Sequence, residues 1–142
     1  MSILFITNEL CLDHLPGHKH PERPDRLSAV LASFQREAFK DEVIEILAEP
    51  VEESILFDVH GEEMIHHLKT IHIKGGGRVD EDTKMSSGSW LAARLAAGAG
   101  LQAINHLRNG NGEAAFCAVR PPGHHATPVQ SMGFCLLNNV AI

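Results

Sequence analysis

Three short apolar runs, Ser2 to Thr7, Val43 to Leu47 and Ala114 to Val119, are separated by segments whose apolar residues recur at helical spacing. Runs of five or six residues rich in β-branched and aliphatic side chains, bounded by turn formers, read as buried strands. Strands that alternate with helices favour a parallel sheet in an α/β fold. Leu27, Val30, Leu31 and Phe34 stand at i, i+3, i+4 and i+7 and predict a helix, with Asp25 at its cap and fraying near Lys40. Before it, Glu9 to Pro24 predicts an irregular loop holding His14, His18 and His20. Ser54 to Val59 fits a short helix or a strand, His60-Gly61 is a break, and Glu62 to Lys69 predicts a helical turn or two.

Lys74 to Ser89 has little periodicity and contains Gly75-Gly76-Gly77 and Asp80-Glu81-Asp82-Thr83, which predicts a mobile or functional loop. Ser89 is expected to cap a long helix, Trp90 to Leu107, rich in Ala and Leu. Gly98 and Gly100 inside it each cost about 1 kcal/mol against Ala, so a neighbouring element is expected to pack closely there. Asn109-Gly110-Asn111-Gly112 predicts a tight turn, and Leu137 to Ile142 the first turns of a further helix. With 142 residues the chain has the length of one domain with a real core.

Composition narrows the function. Eighteen Asp and Glu against 12 Lys and Arg leave a net charge of −6, with no basic run for a nucleic-acid surface. No apolar run approaches the ~18 residues of a membrane span. Three scattered cysteines, Cys11, Cys117 and Cys135, without CxxC spacing, argue against a disulfide framework and suggest a reducing, cytoplasmic setting. There are ten histidines and no tyrosine.

The most chemical stretch is Arg120-Pro121-Pro122-Gly123-His124-His125-Ala126, followed by Met132-Gly133-Phe134-Cys135. It follows an apolar strand, where ligands bind in open α/β sheets. Two imidazoles titrating near ~6.5 on a proline-stiffened loop make an acid–base site. The bland alternative is one histidine bonded to backbone and its neighbour in solvent. His14, His18 and His20 fit no closed zinc pattern and read as loop residues, while His66, His67 and His72 read as surface or core histidines. Asp80-Glu81-Asp82 is either a solvated charge run or a device for a cationic substrate. The three-glycine run lacks the strand and helix of a phosphate loop, and no serine lies in a nucleophile elbow.

Arg120 to Ala126, Met132-Gly133-Phe134-Cys135 and Asn138-Asn139-Val140-Ala141-Ile142 together resemble the active-site signature of the histone deacetylase superfamily. His20-Pro21-Glu22-Arg23-Pro24-Asp25-Arg26-Leu27 resembles its N-terminal signature. The class II-like and bacterial branch, with the acetylpolyamine amidohydrolases, is the nearest in pattern. The resemblance implies a three-layer arginase-like α/β fold around a mostly parallel sheet, of which the first three strands and their helices would be present. It implies zinc-dependent hydrolysis of an acetyl-lysine, acetylated polyamine or small-molecule amide. A zinc site of the open kind has three ligands plus water. His125 would be the general base and acid and His124 its electrostatic partner. Phe134 and Gly133 would wall the acyl tunnel, Asp82 would hold the substrate at the rim, and Arg26 would line the channel through which acetate leaves.

In that family the zinc ligands and the oxyanion-stabilising tyrosine or histidine follow the Asn-Asn-Val-Ala-Ile segment. Residues 1–142 are therefore expected to be the N-terminal part of a single deacetylase domain, inactive alone, with the zinc ligands outside the chain. The alternative expectation is a shortened, non-catalytic relative that binds or assembles, and a homo-oligomer is compatible with either.

Overall fold

In the computed structural model, which describes residues 2–34 and 43–142, the three apolar runs form one parallel sheet. Its strands are β1 (Ile3–Thr7), β2 (Val43–Leu47) and β5 (Ala114–Ala118), in the order β2-β1-β5. Central β1 is in register with Val43–Leu47 on one side and Ala114–Ala118 on the other. Leu4, Phe5 and Ile6 are all buried, so β1 has no solvent face. A strand buried on both faces requires cover on both.

That cover comes from two helices. Side chains alternate faces along a strand. Phe5 and Phe116 stack on one face beneath Phe34 of α1 (Pro24–Phe34), with ring centroids 4.1 to 6.0 Å apart. Toward the other face, Cys117 donates its thiol to the carbonyl of Ala99 in α4 (Ser89–Arg108). The result is an α/β arrangement with a parallel sheet, as the alternation of runs predicts, in the three layers that the resemblance implies. Helix α4 is shared by two cores. Leu95, Ala99 and Ala103 pack with the sheet, while Trp90, Ala93 and Ala97 pack with Leu56, Met64, Ile65 and Leu68. Those last residues belong to the short α2 (Glu53–Leu56) and to α3 (Glu62–Ile73).

Gly98 sits where α4 meets the loop after β2. A Cβ there would collide with the Glu49 carbonyl and the Val51 amide, which accounts for glycine in a helix interior. Gly100 has no such constraint, its nearest neighbour at 3.6 Å being the Asn139 carbonyl.

Several local expectations are corrected. The Glu9–Asp13 part of the first loop is a 3-10 helix, started by Asn8, whose side chain accepts the Leu10 N–H. Helix α1 begins at Pro24 and not after a capping Asp25, which instead lies in the first turn and pairs with Arg23. Proline suits that first position because its missing N–H would have no helical partner. The expected fraying near Lys40 falls outside the described residues. Ser54 resolves as helix, and α3 runs four residues past Lys69 because Leu68 and Ile71 remain buried.

Within the supposed loop of 74–89 lies an antiparallel pair, β3 (Gly76–Arg78) and β4 (Lys84–Ser86). Ser89 is the first residue of α4, with Gly88 at the cap, and its hydroxyl serves the Ser86 N–H and the His14 ring. After Leu137 there is a single turn and not a helix begun at Leu137. Asn138 accepts the Ala141 N–H on its side chain and the Ile142 N–H on its carbonyl, the geometry of an N-cap. Leu136 and Leu137 are buried in the second core instead.

Candidate active site

The loops leaving the carboxyl ends of β1 and β5 meet through one buried ion pair. Arg120, two residues past β5, gives Nε and Nη2 to the two oxygens of Glu22 at 2.8 Å each. Its remaining N–H groups go to the carbonyls of Cys11, at 2.8 Å, and His14, at 2.7 Å. Such a forked pair fixes orientation as well as distance. Glu22 also lies 3.3 Å from His14 Nε2, and His14 Nδ1 is 2.7 Å from Ser89 Oγ. Burial alone would raise the Glu22 carboxyl. The hydrogen bonds from His14 and Arg120 and the guanidinium charge overcome it and bring the group to about 2. The two signature-like segments, 20–27 and 120–126, are thus joined by a charge from each.

From this anchor the loop turns outward. The His124 and His125 rings are exposed, with centroids 4.2 Å apart and planes at 51°. Beneath them the His125 N–H donates to Cys135 Sγ at 3.4 Å. Burial pushes the Cys135 thiol up, with only partial offset from the backbone N–H groups of His125 and Ala126, which disfavours the thiolate. Gly133 and Phe134 both have positive φ, +58° and +69°, in a tight turn closed by the Cys135 N–H on the Met132 carbonyl. Gly133 packs against the His125 ring. A side chain at position 133 would be strained by the φ and pressed into that imidazole.

His125, Gly133 and Asp82 line one groove of about 460 Å³, with Met132 and Gln130 beside them. Phe134 adjoins it, its N–H donating to Thr83 Oγ1 at 3.1 Å and its ring meeting His20. Arg26 is elsewhere. It lines a second cavity of about 320 Å³ with Leu27, Val30, Phe116, Arg120 and Pro122. The two hollows share no lining residue.

The acidic run serves largely itself. Asp80 Oδ1 accepts the N–H groups of Asp82 and Thr83, which hold its carboxyl below the usual range against the opposing effect of burial. Asp82 Oδ1 takes the Thr83 hydroxyl. Histidines that sit close in sequence part company. His14 is buried, His18 is exposed and His20 lies on Phe134. Among the described residues, no group of three His, Cys, Asp or Glu is placed to hold a metal ion. The described residues therefore do not by themselves make a zinc site, and the resemblance implies ligands outside the chain.

Reading the sequence alone misses the Glu22–Arg120 lock, the place of His20 and Thr83 beside Phe134, and His60. The last is buried and joins Thr127 to Asn138, its Nδ1–H donating to the Thr127 carbonyl and its Nε2 accepting the Asn138 N–H. One signal was available. Arg120 follows an apolar strand and has no opposite charge closer in sequence than Glu113, which calls for a distant partner.

Comparison with known proteins agrees with this frame. The histone deacetylase domain family matches residues 20–142. A probable deacetylase of Archaeoglobus fulgidus is 37% identical over 139 residues, which is 96% of this chain and 38% of that protein. Histone deacetylase 8 of Arabidopsis thaliana is 40% identical over 126 residues, 87% of this chain and 33% of that one. The crystal structure of the HDA15 HD domain superposes with a TM-score of 0.90 at 34% identity, covering 99% of this chain and 41% of that chain. The chain belongs to the histone deacetylase family. It spans between a third and about two-fifths of these three relatives.

Proposed function

We propose that this chain carries the proton-transfer half of an enzyme that hydrolyses an acylated amine: an acetyl-lysine, an acetylated polyamine or a small-molecule amide. The observation that carries the reading is the His124–His125 pair at the carboxyl end of the sheet, with His125 in the same groove as Asp82. On this reading His125 removes a proton from the attacking water and later gives one to the leaving amine. His124, one ring away, balances the charge that develops. Gly133 and Phe134 form the wall along the acyl chain, and Asp82 accepts a backbone N–H of the substrate. Arg26 lines the path by which the acid product leaves.

Bound zinc would supply a Lewis acid. Its ligands, on this reading, come from polypeptide other than the described residues. Residues 1–142 are then the N-terminal part of one deacetylase domain, and they hydrolyse nothing by themselves. A non-catalytic binding or assembly role is the second reading.

The test is expression of the complete gene product and assay with an acetyl-lysine peptide and an acetylated polyamine. His125→Ala is expected to lower kcat by ~10²–10⁴ with unchanged circular dichroism. Retained activity in that variant overturns the role of His125. A folded product that hydrolyses neither substrate supports the second reading.

A further inference from the structure

His20 has no part in the reading above, yet it touches both of its substrate-facing elements. Its ring meets the Phe134 ring edge-on, with centroids 4.6 Å apart and planes at 74°. Its Nε2 lies 3.1 Å from the carbonyl oxygen of Asp82. Its Nδ1 lies 3.1 Å from the Glu22 backbone nitrogen and 2.9 Å from the Glu22 carbonyl oxygen. A carbonyl only accepts, so the bond to Asp82 requires the proton on Nε2, and Nδ1 can do without one because the Glu22 N–H faces it. The neutral ring then takes the Glu22 N–H on Nδ1, and the imidazolium gives Nδ1–H to the Glu22 carbonyl. Either charge state keeps the bond to Asp82.

The contacts continue into a closed ring. Asp82 Oδ1 accepts the hydroxyl of buried Thr83, and Thr83 Oγ1 accepts the N–H of Phe134. Phe134 has φ +69°, a conformation unfavourable for a residue with a Cβ, so its place depends on outside contacts. Those contacts are Thr83 on its amide and His20 on its ring.

We propose that His20 is a positioning and specificity-determining residue, whose ring edge sets the Phe134 wall and whose Nε2–H holds the Asp82 loop. This rests on the reading of Phe134 and Asp82 as substrate wall and rim. Removal of His20 loosens substrate binding and acyl-length selection and leaves proton transfer intact.

The experiment uses the complete gene product with acetyl-, propionyl- and butyryl-lysine peptides. His20→Ala loses one hydrogen bond and one ring contact. It is expected to raise KM for the acetyl peptide about tenfold and to change kcat by less than about threefold. The butyryl-to-acetyl ratio of kcat/KM rises as the wall gives way. His20→Gln, whose amide can again reach the Asp82 carbonyl, recovers part of the KM and little of the selectivity. Two readouts do not depend on turnover: the Nε2–H tautomer of His20 by nitrogen NMR, and faster hydrogen exchange of the Phe134 amide in His20→Ala. If the wild type hydrolyses no peptide but both readouts appear, the functional reading fails and the positioning role stands. An Nδ1–H tautomer, an unchanged Phe134 exchange rate, or a kcat loss with unchanged KM and acyl preference in either variant overturns the proposal.

Discussion

Arg120 carries more of this fold than its single charge suggests. Its guanidinium spans the loops after β1 and β5, and Glu22 is the only carboxylate it meets among the described residues. Both partners are almost wholly buried, so removing one leaves a charge that cannot be solvated, at a cost of about 3–5 kcal/mol. The same pair sets an acid limit. The Glu22 carboxyl is depressed from 4.5 to about 2, so its contribution is complete above 4.5 and lost as pH falls through about 2. His60 adds an earlier stage. Burial lowers its pKa from 6.5, with only partial offset from its bond to the Thr127 carbonyl. Its contribution is complete above 6.5 and declines as pH falls through the lowered value. Urea midpoints should start to fall as pH drops below 6.5, and fall again as it drops from 4.5 toward about 2. Glu22→Gln should shrink the second fall while lowering the midpoint at neutral pH. A midpoint flat across the range would contradict both assignments.

At the scale of elements, α4 joins the two cores, and Gly98 is where it comes closest to another segment. The Val51 N–H donates to the Arg94 carbonyl at 3.0 Å, and the Arg94 side chain returns two bonds to the Val51 carbonyl. Those bonds tie the loop after β2 to the helix and leave no room for a methyl group at position 98. Gly98→Ala, stabilising on helix propensity alone, is expected to destabilise by about 1–3 kcal/mol through overpacking. Gly100→Ala, with nothing closer than 3.6 Å, should be neutral or stabilising. Denaturant titration of the two variants separates packing from propensity, and equal effects would refute the packing account.

Over the whole molecule, the sheet has β2 and β5 as its outer strands, and among the described residues neither pairs on its far side. Leu47 on β2 is 70% exposed and Phe116 on β5 is 45% exposed. Apolar outer strands with free backbone groups invite pairing with other chains. The 142-residue chain by itself is therefore expected to self-associate with rising concentration in sedimentation velocity. Leu47→Lys and Phe116→Lys, one on each outer strand, should reduce it. A chain that stays monomeric and unfolds cooperatively at high concentration would defeat the prediction. No helix of the described residues is long and apolar enough to cross a membrane.

The positions of β1, β2 and β5 follow from the sequence to within a residue at either end, and so does the α/β class. Apolar period and turn chemistry act over neighbouring residues, and both are written locally. The loop of His124 and His125 was visible for the same reason, since its prolines and glycine sit within seven residues. What the tertiary structure alone decided is which distant segments meet. Glu22 and Arg120 are 98 positions apart, and His60 reaches Asn138 across 78. Strands β3 and β4 have three residues each, too few to show an alternation, and are held by pairing and by the burial of Met85. The turn at Asn138 and the place of His20 against Phe134 are settled by contacts between segments. Such contacts leave no periodic trace in a single sequence, because their energy depends on the three-dimensional neighbour and not on the residue beside them in the chain.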